Sequence, residues 1–501
     1  EEEGTILVLF FALVLLSASS PPPPPLHKGR SSSSSISNLT NHMKKKQQIL
    51  LEKKYNCKVS TDDEAEDDFS SYHVEDGRHF KNEFSDATSP PTTWQADARK
   101  IIQKTIEICE DPRRHRRGSI YTGLSGVGMA IYYLNELGYW DDDDSQERNA
   151  RLQRALHYCI NGSKMIHPSR VTFVEGWSGP MALAAAIIRE IRHSSQQSTV
   201  KGDEEKLSTS SSNVLYPGTK LEKVEESYVK TCVCDIFKQV KKLKPSECEV
   251  LYGRVGYLYS LLFLRRCLKD DNKLAAKQVK DLVKDIVEEG VKSAKRNKRY
   301  AGNLELFYSW HEKCYIGAAH GLCGIFNILL YVSDEIEELG YLDILRRSID
   351  ALLEMKFDSK NMPSSLGSSR DKLVHWCHGA TGFVSLCLNA QKVFKDEKYL
   401  QHAREFGNVI WLRGMLSTKG LGLCHGMPGN GMVLLSLYRK TKNELWLRRA
   451  QHFASMTVEK FNKLSLNSDN PCSLFTGVLG GVVFLGSVLN PDKSWFLGYE
   501  I

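Results

Sequence analysis

Long apolar runs are scarce in this 501-residue chain. The N-terminal run from Thr5 to Ser17 is the most apolar. It falls short of the roughly 20 residues that a spanning helix needs. The uncharged stretch from Ser473 to Asn490 is broken by Gly477, Gly480, Gly481 and Gly486. A multi-span receptor is therefore disfavoured. Charge of one sign is scarce too: 67 basic residues face 60 acidic ones, for a net charge of +7. No basic stripe and no interleaved stacking aromatics are present, so nucleic-acid binding has no support. Cysteine is sparse and odd in number, 13 spread along the chain. Disulfide scaffolds are short and cysteine-dense, so free thiols in a reducing compartment are the simpler expectation. The Cys232/Cys234 pair has no partner pair nearby and does not read as a metal site.

What remains is ordinary globular material, 41% hydrophobic and 25% charged. Residues 1–90 hold Pro21–Pro25, Ser31–Ser35 and an acidic patch at Asp62–Asp68. Such composition cannot offset chain entropy by burial. The region is expected to be mostly disordered, with a helix near Leu39–Leu51. The apolar run at its start resembles a signal-peptide core, but Glu1-Glu2-Glu3 precede it where a positive charge is usual. The expected location is cytoplasmic, with peripheral association at the plasma membrane as a further expectation from that run. Helical patterning fills residues 91–501, interrupted by a polar loop insertion at about 193–221.

A repeat organises this second part. A Gly-x-x-Gly step followed by an apolar helix occurs seven times. The pairs are Gly123/Gly126, Gly176/Gly179, Gly253/Gly256, Gly321/Gly324, Gly379/Gly382, Gly426/Gly429 and Gly477/Gly480. Their first glycines stand 47 to 77 residues apart, room for two helices and their connections. The pattern predicts an all-α fold, an α/α toroid of seven inner and seven outer helices. Glycine at each inner helix start lets converging backbones approach closely, and the free N–H groups there favour anions.

Three repeats carry unusual residues beside the first glycine. They read Ala319-His320-Gly321, Trp376-Cys377-His378-Gly379 and Leu423-Cys424-His425-Gly426. If the repeats are equivalent, these side chains meet at one mouth of the ring. Thiolate and imidazole suit a borderline-soft metal, with zinc the default. Cys377, Cys424 and His425 would supply three ligands to one Zn2+ and leave a fourth position open, as in catalytic sites. A lone cysteine or histidine is more often a core residue; two Cys-His-Gly units in register are harder to dismiss.

Trp376-Cys377-His378-Gly379-Ala380, Gly422-Leu423-Cys424-His425-Gly426 and Ala319-His320-Gly321-Leu322 resemble the hallmark motifs of the lanthionine synthetase C-like family. Leu251–Tyr257 and Ser473–Gly477 are similar to its eukaryotic branch, of plant type. The resemblance covers residues 90–500. It implies zinc ligands at Cys377, Cys424 and His425, and a catalytic histidine at His320. An aspartate that is essential in the bacterial enzymes falls on Glu249, a departure that keeps the carboxylate. A bacterial tyrosine falls on His378. A basic residue needed just before the first ligand cysteine points to Arg370 or Lys372. Lys419 resembles a lysine near glutathione in eukaryotic relatives.

The implied chemistry is addition of a thiol to the β-carbon of a dehydroalanine or dehydrobutyrine residue in a protein or peptide, giving a thioether. Glutathione is the expected thiol. His320 and His378 are candidate proton donors, and Glu249 would orient an imidazole or take the thiol proton. A non-catalytic zinc- and glutathione-binding scaffold is the competing reading. A toroidal glycosidase would need paired carboxylates, where these mouths offer Cys and His.

Overall fold

The seven glycine-led segments are helices in the computed structural model, which describes residues 77–501 except 83, 91, 141–144, 201–234, 237 and 269–275, and omits the side chains of 145 and 193–200. The N-terminal apolar run, the helix expected near Leu39–Leu51 and the Cys232/Cys234 pair lie outside the described residues. In chain order the principal helices are α1 (Trp94–Cys109), α2 (Ser125–Glu136), α3 (Ser145–Lys164), α4 (Ser178–Val200), α5 (Arg254–Cys267), α6 (Ala276–Arg296) and α7 (Leu322–Leu329). They continue with α8 (Leu342–Leu353), α9 (Ala380–Phe394), α10 (Glu397–Arg413), α11 (Met427–Thr441), α12 (Glu444–Ser465) and α13 (Val478–Leu489). No strand of a sheet occurs among the described residues, only isolated bridges.

Sequence pattern sorts these helices into two layers. In α6 the buried residues Val279, Leu282, Val283, Ile286 and Val287 recur at helical spacing, and charged residues fill the other face. That is a helix with one covered side. In α13 everything from Val478 to Val488 is buried, so that helix is enclosed all round. The glycine-led helices α2, α4, α5, α7, α9, α11 and α13 form the inner layer. Each packs on the next, and α13 packs back on α2, which closes the ring. Helices α3, α6, α8, α10 and α12 back their preceding inner helices, and α1 packs on α13 and α12. The chain between α4 and α5, where a further outer helix would stand, includes residues 201–234. Helix α4 itself runs on to Val200, past His193, where composition marks a break.

The second glycine of each pair has a local cause. A Cβ on Gly179 would stand 1.7 Å from the Phe173 carbonyl oxygen, and one on Gly324 1.9 Å from that of Ala318. Each loop folds back on the first turn of its own helix, and the carbonyl six residues earlier occupies the side-chain position. Loop return requires these glycines, and at Gly382 and Gly480 the neighbouring repeat crowds the same position, with Ala318 Cβ at 2.7 Å and the Leu421 carbonyl oxygen at 2.5 Å.

Two features lie beyond the repeat. Residues 77–90, which composition assigns to the N-terminal segment, pack on the outer helices. Asp86 pairs with Arg449 at 2.6 Å, Phe84 stacks on His452 at 4.3 Å, and Asn82 donates to the Trp411 carbonyl at 2.7 Å. Residues 495–500 cross the inside of the ring. Trp495 N donates to Tyr133 Oη, Tyr259 Oη to the Glu500 carbonyl, and Asn327 Nδ2 to the Tyr499 carbonyl. Tyr499 Oη donates to the Gly382 carbonyl, and Arg439 to Glu500 Oε2 at 2.6 Å. These partners sit on α2, α5, α7, α9 and α11, which only an interior segment could reach together. Trp376 stacks on Phe496 from above, so the segment floors the ring beneath the Cys and His residues.

Glu500 is the polar anchor of that floor. Its carboxylate accepts from Ser385, Ser436, Arg439 and Phe496 N. Burial works to raise its proton affinity, but Arg439 and these donors outweigh burial and hold it below the usual carboxylate range. A depressed folded-state value means the stabilisation is present above the unfolded value and is lost as pH falls through the folded one. Glu500→Ala leaves Arg439 without its buried partner and should cost about 3–5 kcal/mol. Urea titrations at pH 7 and at progressively lower pH check this. The gap between wild type and variant should narrow on acidification, and a gap independent of pH would contradict the assignment. No helix of the described residues is long and apolar enough to cross a membrane.

Candidate metal centre

The mouth of the ring is built by a ladder between repeats. Over four successive steps, the residue two before a first glycine donates its N–H to the carbonyl of its counterpart in the next repeat. Cys377 N donates to Cys424 O at 3.2 Å, and Cys424 N to Phe475 O at 2.9 Å. Phe475 N donates to Tyr121 O at 3.1 Å, and Tyr121 N to Val174 O at 2.8 Å. Equivalent positions in the sequence are thus equivalent in space. The residues directly before the first glycines are Thr122, Glu175, Tyr252, His320, His378, His425 and Thr476. All seven are polar, and they form the rim.

Repeats five and six stand side by side, so Cys377 and Cys424 do as well. One ligand atom from each of Cys377, Cys424 and His425 lies within 4.8 Å of the others, making a group that could hold a metal ion. Both cysteines are buried. Burial, then the neighbouring Cys377 thiol, push the Cys424 thiol well above its ordinary value. Burial followed by both cysteines does the same to the adjacent Tyr121 hydroxyl. Two thiolates would not coexist there without a cation. Burial lowers the proton affinity of His425, but Cys424 and Asp469 outweigh it. His425 Nε2 donates to Asp469 Oδ2 at 3.0 Å, which leaves Nδ1 for the cysteines. A histidine backed by a carboxylate is the usual second layer of a metal site. The donor set fits a borderline-soft divalent cation.

The loop carrying Cys377 is tied from behind. Asn361 is fully buried; its Oδ1 accepts from Ala380 N at 2.9 Å, and its Nδ2 donates to Leu373 O and Asp371 Oδ1. Arg413 donates to the same Asp371 carboxylate at 3.0 and 3.1 Å. Gly379 turns at φ +105°, where a side chain would meet the Leu373 carbonyl at 1.9 Å.

His320 stands one repeat before Cys377. Its Nδ1 donates to Glu249 Oε2 at 2.9 Å, and Glu249 also accepts from Leu251 N at 2.7 Å and from Tyr252 N. This tautomer follows from the hydrogen-bond network. Glu249 is 2% exposed and engaged only as an acceptor. His378, between His320 and His425 on the rim, is half-buried, and its buried Nδ1 has no hydrogen-bond partner. Burial first, then His375, His320, Lys313 and His425, push His378 down to about 4. His375 is buried and pushed down to about 3, by burial, then His425, Lys419 and Arg78.

Lys419 is half-buried and near enough for its charge to act on His375 and His425. Arg370 and Lys372 are exposed. They flank Asp371, whose carboxylate turns inward to Arg413. No hydrogen bond, ion pair or ring contact among the described residues ties Arg370 or Lys372 to the cluster. Sequence reasoning missed Arg78, whose strand-like segment pairs with the loop leading to Lys419: His79 bridges Leu416, and Ser417 N donates to Arg78 O. It also missed Glu175 and Tyr252. The repeat register points to both, since each directly precedes a first glycine.

Known proteins agree with this architecture. The family profile described as "Lanthionine synthetase C-like protein" matches residues 114–501. The chain is 32% identical over 401 residues to "Glutathione S-transferase LANCL1" of Danio rerio, covering 80% of this chain and 90% of that protein. Among solved structures it resembles "Nisin cyclase", with a TM-score of 0.52 and 16% identity, over 79% of this chain and 94% of the other. That likeness is one of fold, an α/α toroid. A family match over most of the chain, on a closed ring whose Cys and His residues gather at one mouth, settles the kinship: the chain belongs to the lanthionine synthetase C-like family.

Proposed function

We propose that this protein binds one zinc ion through Cys377, Cys424 and His425, and adds a thiol, glutathione in the first instance, to dehydroalanine or dehydrobutyrine residues of proteins or peptides. The observation that carries the reading is the juxtaposition at one mouth of a three-donor soft-metal cluster and an imidazole fixed by a buried carboxylate. The relatives' names, a glutathione S-transferase and a nisin cyclase, support thiol addition in general.

Zinc when bound would supply acidification of a thiol at its open position. The remaining work falls to the chain. The thiol sulfur bonds to the β-carbon of the acceptor, the double-bond electrons move to the α-carbon and its carbonyl, and a proton is delivered to the α-carbon. The thiol proton leaves to solvent, so nothing is oxidised or reduced. Glu249 holds His320 Nδ1–H, which directs Nε2 toward the mouth as the proton donor. His378, pushed toward its neutral form, stands beside it as a second hydrogen-bonding group. Lys419 and Arg78 supply positive charge for the carboxylates of glutathione. The floor formed by residues 495–500 keeps bulk water from entering through the ring. All ten cysteines among the described residues are free, which suits a reducing, glutathione-rich compartment such as the cytoplasm.

The test is metal analysis of the purified protein together with mass spectrometry of a dehydroalanine peptide incubated with glutathione. About one zinc per chain and a glutathione thioether are expected. Zinc without any adduct would move the non-catalytic scaffold ahead, and absence of zinc would remove the basis of the reading.

A further inference from the structure

His320 is held at its edge by Glu249, but a hydrogen bond at one nitrogen leaves the ring free to swing about that bond. A second contact removes this freedom. The indole of Trp310 lies against the imidazole face, with ring centroids 4.0 Å apart and planes 2° from parallel. Trp310 is not a core residue reaching outward. It is half-exposed and starts a tight hairpin whose tip, His311 to Lys313, is exposed. Trp310 N donates to Lys313 O at 2.9 Å, and Lys313 N donates back to Trp310 O at 3.1 Å. The two residues at the turn are His311 at φ 47° and Glu312 at φ 61°. Neither is glycine, and consecutive left-handed residues with side chains are costly. The stem is fastened below, where Tyr315 bridges Ser365. Beside the stacked pair, Tyr252 lies nearly parallel to both rings, 6.0 Å from each. The hairpin thus spends backbone strain to place one indole on one imidazole, and strain of this kind concentrates where geometry serves function.

We propose that Trp310 is a positioning residue for the thioether-forming reaction. By stacking on His320 it fixes the plane of the imidazole while Glu249 fixes its tautomer, so that Nε2 is presented to the acceptor at the mouth. The indole face also favours the protonated ring that a proton donor must pass through. The inference rests on the proton-donor role of His320 given above.

The test compares Trp310→Ala and Trp310→Phe with wild type in two independent readouts. The first is steady-state glutathione addition with zinc content measured on the same samples. Trp310→Ala should lower kcat roughly 3- to 30-fold, the range a cation–π contact spans, with KM for glutathione and zinc content unchanged. Trp310→Phe, which keeps an aromatic face, should recover most of the loss. The second is the 15N spectrum of histidine-labelled protein, with the His320 signals identified by their absence in His320→Gln. Both proteins should keep the Nδ1–H tautomer that Glu249 sets, but in Trp310→Ala the ring swings about that bond, so its signals should shift downfield of the stacked position and broaden by exchange. Wild-type kcat and an unchanged His320 spectrum in Trp310→Ala would overturn the proposal. So would lost zinc, or a raised KM at constant kcat, since Trp310 would then serve binding. If wild type forms no thioether, the proton-donor reading fails by itself. The His320 spectrum still decides whether Trp310 positions His320: shifted, broadened signals in the variant support it, and unchanged ones sink it.

Discussion

Cys424→Ala should yield a folded protein that neither retains zinc nor forms a thioether. The fold survives because Cys424 contributes to the mouth through its backbone. Its N–H donates to Phe475 O and its carbonyl accepts from Cys377 N, and alanine keeps both bonds. Among the described residues the side chain interacts with the Cys377 thiol, the His425 ring and the Tyr121 hydroxyl. In the metal-free protein burial keeps the Cys424 thiol neutral, so replacing it by a methyl group removes no charge. The metal-bound protein loses a ligand instead. Zinc held by sulfur and nitrogen donors draws about 10–16 kcal/mol from its whole set, so one ligand is worth on the order of 3 kcal/mol or more, at least a hundredfold in affinity. Thermal unfolding with and without added zinc separates the two effects. Zinc at about 100 times its dissociation constant should stabilise wild type by about 2.7 kcal/mol and leave Cys424→Ala unmoved. Equal zinc-induced shifts in both proteins would show that the ion binds elsewhere.

How far the sequence spoke depended on whether a feature repeats. The inner helices were legible because a Gly-x-x-Gly step recurs seven times, and the Cys and His pairs stood out against that register. The backbone ladder through Cys377, Cys424, Phe475, Tyr121 and Val174 is the physical form of the same regularity. Features outside the period were not legible. The floor rests on one carboxylate, Glu500, and on Tyr and Ser hydroxyls from helices hundreds of residues apart. Residues 77–90 attach through single side chains such as Asp86, which composition averages away. Arg370 and Lys372 lie in a loop without periodicity, where the resemblance offered two basic residues and no register. Asp371, between them, turns inward instead, to Arg413. Glu175 occupies the same register position as His320, but a single acid there carries no metal-ligand pattern. It is buried at the rim, paired with Arg170 at 3.6 Å, and burial raises its carboxyl against the pull of Ser119, Arg170 and Arg117.

His320→Ala and Glu249→Gln should each lower kcat by about 10²–10⁴, the usual worth of a positioned acid–base group, while zinc content stays at the wild-type level. The two losses arise differently and should not add. Alanine at 320 removes the proton donor outright. Glutamine at 249 keeps the size of the side chain but changes what it can accept. Glu249 accepts from Leu251 N and His320 Nδ1 on one oxygen and from Tyr252 N on the other. A glutamine amide has one oxygen and one NH2. If the oxygen stays with Leu251 and His320, the NH2 confronts the Tyr252 N–H, two donors face to face in a buried site. If the amide turns over, the NH2 confronts the Leu251 N–H and donates to His320 Nδ1. The proton then moves to Nε2, and the imidazole hangs from the wrong nitrogen. Either outcome disarms the same group, so the double variant should be hardly slower than His320→Ala alone. Additive losses would mean that Glu249 acts on the substrate directly, as acceptor of the thiol proton, and not through His320. The cycle therefore distinguishes the two roles open to that carboxylate. Its buried, fully engaged oxygens favour the first.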